Sequence, residues 1–280
     1  MPSHADRRNT PPVKGEHPQG MGKSSPETGR LSIVGIGPGG PDQMTGMAKE
    51  AIAGADCIIG NGLYLDQIAP LLSGKEIIRS SMGKEVERAR QAVELACSRD
   101  VVVVSGGDPG VYGMASIVLE VLEHSGLGIP AEVVPGVTAA TAAASRLGAP
   151  LSGDFVVISL SDLLTPWEEI RRRLGLAFQM GVPVVVYNPR SRGRRDHLAV
   201  ALAVAMEHLP PGTPVGFVKN AFREGEKVTV TTLVEAMDRI EEADMHATII
   251  IGGRETRIWR RGEDAKGIIT PRGYERKYLY

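Results

Sequence analysis

The stretch Val101-Val-Val-Val-Ser-Gly-Gly-Asp-Pro-Gly-Val-Tyr-Gly113 decides the fold. Four consecutive valines leave no solvent face, so Val101–Val104 reads as a strand buried on both sides, the habit of a parallel sheet covered by helices. A glycine-rich loop follows at its carboxyl end, where open α/β sheets bind their ligands. Gly106 and Gly107 let a ligand lie against bare backbone, and Asp108-Pro109 favours a fixed turn.

Two more loops of this kind flank it. Leu31-Ser-Ile-Val-Gly-Ile36 reads as a short buried strand and runs into Gly35-Ile-Gly-Pro-Gly-Gly40. Read literally, that loop is a G-x-G-x-x-G dinucleotide fingerprint. Pro38 and Pro41, however, remove backbone N–H groups that a phosphate cradle needs. Thr45, which reads as the cap of a helix running to about Ala55, lies five residues beyond Gly40. The competing reading is a tight strand-to-helix turn that needs glycine conformations. The third loop, Pro135-Gly-Val-Thr-Ala-Ala140, sits between a strand at Ala131–Val134 and a small-residue helix from Thr138 to Arg146.

Strand-like and helix-like segments alternate along the chain, which implies α/β layering. The first half adds strands at Asp56–Ile59 and Glu76–Ile78 and helices at 84–98 and 114–124. Gly148-Ala-Pro-Leu-Ser-Gly153 reads as a linker. After it come strands at Phe155–Leu160, Val182–Tyr187, Pro214–Lys219, Val228–Thr231 and Ala247–Ile251, with helices at Pro166–Met180, Asp196–His208 and Leu233–Glu242. The close strands around Gly225 predict a hairpin and hence a mixed sheet. The expected organisation is a disordered tail (1–30), an N-terminal α/β domain (31–149), a C-terminal α/β domain (150–253) and an extension (254–280). The tail holds five Pro, four Gly and eight charges, with Val13 its one branched aliphatic. The extension carries Trp259 and three tyrosines, whose burial predicts that it packs partly on the body.

Composition excludes several classes. Lys plus Arg is 32 against 33 Asp plus Glu, and aromatics are 4% of 280 residues, so neither the basic excess nor the stacking platforms of a nucleic-acid binder are present. No run of about 18 apolar residues predicts a membrane span, and a soluble, cytoplasmic protein is expected. Cys57 and Cys97 lie 40 residues apart without a second ligand pattern, and the six histidines are scattered, so no protein-bound metal and no disulfide framework are expected.

GxGPG, GGDPxxYG and PGVTA, in this order and at these spacings, resemble the tetrapyrrole (corrin/porphyrin) methyltransferase family over residues 31–253. The resemblance implies two α/β domains with the cofactor and substrate cleft between them. It also implies S-adenosyl-L-methionine as methyl donor, S-adenosyl-L-homocysteine as product, a small-molecule tetrapyrrole substrate and a homodimer. The second-half strings Asp154–Glu168, Tyr187-Asn-Pro-Arg-Ser-Arg192, Lys219-Asn-Ala-Phe-Arg-Glu-Gly225 and Val228–Leu233, with Tyr64-Leu-Asp-Gln-Ile68 from the first half, resemble the branch that methylates carbon 17 of a precorrin-3-level macrocycle and contracts the ring in cobalamin biosynthesis. Gly60-Asn-Gly62 departs from the Gly-Tyr that more often precedes the Tyr64 string. Carried over residue by residue, the cofactor is expected at Pro38, Gly106, Gly107, Asp108, Val111, Thr138 and Ala139, closed over by Asn188, Ala221 and Thr248.

Arg190, Arg192, Arg194 and Arg195 crowd into six residues. Composition alone reads them as a solvated loop. A substrate ringed with carboxylates would give Arg190 and Arg192 bidentate partners, with Lys219, Arg223 and Arg146 as further candidates. For the proton transfers of ring contraction, Ser159 and Ser161 share a strand face and Asp162 follows at the turn, so these three are the expected catalytic cluster. Asp162 could equally organise the turn before Pro166. Rival readings are a methyltransferase of the same fold acting at another carbon, a nucleotide-dependent dehydrogenase, and a tetrapyrrole carrier or sensor.

Overall fold

The computed structural model describes residues 28–279. The expected tail at 1–30 lies almost wholly outside the described residues. Its last residues do not fit that reading, because Gly29 is buried and the Arg30 N–H donates to Asp100 Oδ1 at 2.9 Å.

The first half builds β1 (Leu31–Gly35), α1 (Gly46–Gly54), β2 (Cys57–Asn61), α2 (Gly62–Gln67), β3 (Glu76–Ser80), α3 (Glu85–Leu95), β4 (Val101–Ser105), α4 (Ala115–Ser125) and β5 (Ala131–Val134). Thr45 caps α1 as expected, its Oγ1 accepting from the Ala48 N–H. The five strands form a wholly parallel sheet in the order β3-β2-β4-β1-β5. Every residue of β1, β2 and β4 is buried. One core, under α3 and α4, joins Ile33, Ile59 and Val103 to Val93 and Val118; the other, under α1 and α2, joins Val34, Ile58 and Val104 to Ile52 and Leu65. After β1 the chain moves to the β2 side, and after β4 it moves to the β5 side. The crevice between β1 and β4 is therefore a topological switch point, the usual ligand seat of such sheets.

The second half builds α5 (Ala139–Leu147), β6 (Gly148–Ala149), β7 (Val156–Ser159), α6 (Trp167–Met180), β8 (Val184–Tyr187), α7 (His197–Met206), β9 (Pro214–Lys219), β10 (Lys227–Thr232), α8 (Leu233–Ala236) and β11 (Ala247–Ile251). Its sheet runs β10-β9-β11-β8-β7 and is mixed: β7 and β8 are parallel, and the other pairings are antiparallel. The expected hairpin is β9–β10. The helix expected at 233–242 is α8 followed by a 3₁₀ turn at Met237–Glu242. Sequence order groups α5 with the first half, but its packing is with the second. Ala140, Ala143, Ala144 and Leu147 press on Val185, Val218 and Ile250. Alanines on the buried stripe of α5, and Gly216 on β9 opposite Leu147, allow that close approach.

The extension forms a hairpin, β12 (Arg257–Arg261) and β13 (Asp264–Ile269), and β13 pairs with β6. It packs on the body, in part through an aromatic, since the Trp259 indole lies against Gly148. Ile268 is fully buried and Thr270 Oγ1 donates to the Pro150 carbonyl at 2.5 Å, whereas Tyr274 and Tyr278 are exposed. Among the described residues no helix is long and apolar enough to cross a membrane.

The backbone is tightest where the loops after β1, β4 and β5 meet. A Cβ on Gly35 would lie 2.7 Å from the Gly107 carbonyl oxygen and 2.8 Å from the Gly136 nitrogen, and one on Gly136 would overlap Gly107 O and approach the Gly35 carbonyl carbon to 2.9 Å. Gly136→Ala should therefore destabilise the protein by about 1–3 kcal/mol. Gly46→Ala, at an open position beginning α1, should be neutral or gain up to about 1 kcal/mol. Urea unfolding of both variants checks this; equal stabilities would contradict the packing described.

Candidate active site

The three loops are tied into one floor. Gly37 and Gly107 exchange two backbone hydrogen bonds, N–H to carbonyl at 3.1 and 2.9 Å. Asp108 fastens the third loop: its Oδ2 accepts from the Gly136 N–H at 3.0 Å and its Oδ1 from the Gly110 N–H at 2.8 Å. Both carboxylate oxygens are thus committed to backbone, so Asp108 organises the loop rather than standing free as a base. Gly107 sits at φ +67°, where a side chain costs about 1–2 kcal/mol, yet its missing Cβ would meet nothing closer than 3.7 Å. Gly106 is the opposite case, with the Tyr64 ring packed where its side chain would be.

The second half closes on this floor through two tyrosines and an arginine. The Tyr187 hydroxyl, at the end of β8, lies 2.6 Å from Thr138 Oγ1 and accepts the Ala140 N–H at 2.6 Å, holding the start of α5. The Tyr112 hydroxyl accepts the Ser159 N–H at 3.1 Å, so the loop after β4 reaches across to β7. The two rings lie 5.6 Å apart. Arg223 Nε donates to the Pro38 carbonyl. Among the described residues four non-glycines have left-handed backbones, Tyr112, Asn188, Asn220 and Phe222. Three of them line the cavity and Phe222 adjoins it, which is where such strain tends to gather.

These elements enclose a cavity of about 580 Å³, within the range of small-molecule sites. Its wall includes Pro38, Gly106, Gly107, Asp108, Val111, Thr138, Ala139, Asn188, Ala221 and Thr248, the ten residues expected around the cofactor. Of the expected substrate residues, Arg223 is on the wall. Arg190, Arg192 and Lys219 are not: Arg190 Nη2 donates to Glu241 at 2.6 Å, Lys219 is paired with Asp244 at 2.6 Å, and Arg192 is exposed. Arg146 is paired with Glu226. Arg194 lines the cavity instead.

The expected catalytic cluster is not on the wall either. Ser159 stands behind Asn188, its Oγ accepting from Asn188 Nδ2 at 2.8 Å and from the Ser161 N–H at 3.1 Å. Asp162 lies 3.9 Å from Arg194 Nε and 3.8 Å from His197 Nε2. Tyr64, Tyr187, Asn220 and His246, none of them an expected site residue, are also on the wall. For Tyr187 a signal existed, since a strand that ends in Tyr-Asn-Pro puts a hydroxyl at the cleft.

The family model of tetrapyrrole (corrin/porphyrin) methylases matches residues 30–237, and the chain belongs to that family. It is 43% identical over 245 residues to a probable cobalt-factor III C(17)-methyltransferase of Salmonella typhimurium, covering 87% of this chain and 99% of that one. To the precorrin-3B C(17)-methyltransferase of Sinorhizobium sp it is 42% identical, covering 88% and 98%. The cobalamin biosynthesis protein CbiHC of Archaeoglobus fulgidus is also 42% identical, but the chain, 90% covered, spans about half its length (54%). Among solved structures, the methyltransferase CobJ superposes with a TM-score of 0.80 at 36% identity, covering 87% of this chain and all of that one. A uroporphyrin-III C-methyltransferase of Thermus thermophilus, complexed with S-adenosyl homocysteine, superposes at 0.62 with 28% identity, covering 80% and 92%. The two α/β sheets and the cleft between them are the fold that the resemblance implied.

The Tyr187 link gives a pH test. Burial pushes its phenol above the ordinary value of 10.0, outweighing the hydrogen bonds from Thr138 and Ala140. A raised folded value means that its stabilisation is complete below 10.0 and is lost as pH climbs through the folded value. Tyr187→Phe should cost about 1–3 kcal/mol at neutral pH by leaving the Ala140 N–H unpaired. The gap from the parent should narrow above pH 10. Denaturant unfolding between pH 7 and 11 checks this; a neutral variant would remove Tyr187 as the link.

Proposed function

We propose that this chain is an S-adenosylmethionine-dependent methyltransferase that acts on carbon 17 of precorrin-3B, or of its cobalt-containing counterpart cobalt-factor III, and contracts the ring in cobalamin biosynthesis. The observation that carries the reading is the cavity wall. Ten residues drawn from both halves of the chain, each expected at a methyl donor by the family resemblance, line one space beside glycine-cleared backbone. Relatives that the chain matches nearly end to end bear the C17-methyltransferase name.

The wall fits such a donor. It offers backbone at Gly106 and Gly107, a polar edge at Thr138 and Asn188, and few charges. S-adenosylmethionine brings its methyl already activated on a sulfonium. The protein therefore needs no nucleophile of its own, and alignment with exclusion of water is its main task. In the transfer the sulfur–methyl bond breaks as the new carbon–carbon bond forms, and S-adenosylhomocysteine leaves. Tyr187 holds the start of α5 at Thr138 Oγ1 and at the Ala140 N–H, on either side of Ala139. Asn188, kept in its left-handed conformation, is oriented by Ser159. Ser159 thus supports the wall from behind.

Incubation with methyl-labelled S-adenosylmethionine and each macrocycle, metal-free and cobalt-containing, tests the reading. One labelled methyl should appear in a ring-contracted product from at least one of them. Gly107→Leu, whose side chain would reach into the cavity, should stay folded, lose S-adenosylhomocysteine binding by calorimetry and form no product. No methyl transfer to either macrocycle would refute the proposal, and normal binding by Gly107→Leu would refute the donor's place.

A further inference from the structure

Arg194 is the one member of the arginine run on the cavity wall, and its side chain is 11% exposed. A guanidinium out of water normally has its N–H groups and its charge fully matched. This one does not. Its Nε donates to Ser191 Oγ at 3.2 Å, its Nη2 touches the Met245 sulfur at 3.5 Å, and its Nη1 is buried with no partner. Asp162 is the one carboxylate within 4 Å among the described residues, and at 3.9 Å it is beyond hydrogen-bond length. That aspartate also faces His197, whose ring is stacked on Trp167 at 3.9 Å and whose Nδ1 lies 3.1 Å from the Leu160 carbonyl. The main chain holds the arginine as firmly: Ser191 and Arg194 exchange two backbone hydrogen bonds of 3.2 Å, which pins the turn and turns this arginine, not Arg190 or Arg192, toward the cavity. Arg223, the other guanidinium on the wall, already commits its Nε to Pro38.

We propose that Arg194 is a specificity-determining anchor that receives a carboxylate of the macrocycle. A carboxylate entering the cavity supplies the missing charge, and a rotation of the guanidinium that brings the covered Nη1 to the cavity supplies its missing hydrogen bond; a planar fork suits a carboxylate better than an ammonium. This inference rests on the proposed function, since it takes an anionic tetrapyrrole as the occupant.

The test uses the full chain and titrations with cobalt-factor III and with metal-free precorrin-3B, each followed by absorbance, and with S-adenosylhomocysteine by calorimetry. Arg194→Gln should weaken macrocycle binding about 30-fold or more, the lower end of what loss of a buried charge partner costs. S-adenosylhomocysteine affinity should stay within about threefold. Arg194→Lys should fall between. Methyl-esterified macrocycle should bind the parent much more weakly than the free acid, and Arg194→Gln should discriminate less between the two. Macrocycle affinity in Arg194→Gln equal to the parent's, or equal discrimination against the ester, overturns the anchor and leaves the function standing. If Arg194→Gln does not fold, Arg194→Lys decides: parental affinity overturns the anchor. A parent that binds S-adenosylhomocysteine but no macrocycle overturns both.

Discussion

The structure depends on three backbones being allowed to touch. The loops after β4, β1 and β5 leave adjacent strands, so they must share one small space at the carboxyl edge of the sheet. Gly35, Gly107 and Gly136 meet there at distances that forbid a side chain on Gly35 or Gly136. Because the loops interlock through the Gly37–Gly107 pair and through Asp108, neither can shift without the others. Rigidity comes from omission: without Cβ atoms, backbone packs on backbone and leaves one bare surface facing the cleft.

The second half uses that rigid floor as a dock. Tyr187 and Arg223 reach in from the mixed sheet and its loops, and Tyr112 reaches out to meet Ser159. α5 gives the same result from the other direction, leaving the first sheet's third loop and burying its alanines under the second sheet. A cleft built this way is lined from both halves, and hydrogen bonds tie the two together across it. That suits methyl transfer, where the donor is already reactive and placement within a fraction of an ångström sets the rate.

Much of this was legible in the chain because its signals are local. Valine runs mark buried strands, Gly-Pro and Asp-Pro mark the loops that follow them, and the parallel layout puts those loops at one edge. Side-chain direction was less legible. The run at 190–195 holds four arginines, and nothing in their order says that the Ser191–Arg194 turn brings the third to the cavity wall while Glu241 pairs with the half-buried first away from it. Ser159 and Asp162 do not line the cavity: Asn188, in a left-handed conformation, stands in front of Ser159, and Asp162 lies beside Arg194 and His197. Of the extension's aromatics only Trp259, against Gly148, helps to hold it among the described residues; Ile268 and Gly267, whose missing side chain lets β13 approach the Leu147 carbonyl, do the rest.

We propose the interlocked glycine loops as the seat of the methyl donor. A crystal structure of the chain with S-adenosylhomocysteine tests it most directly. The expected result is the ligand lying against Gly106–Asp108 and Thr138–Ala139, with the Gly37–Gly107 hydrogen bonds and the Tyr187–Ala140 bond intact. Ligand bound elsewhere, or bound only after those loops have separated, would contradict it.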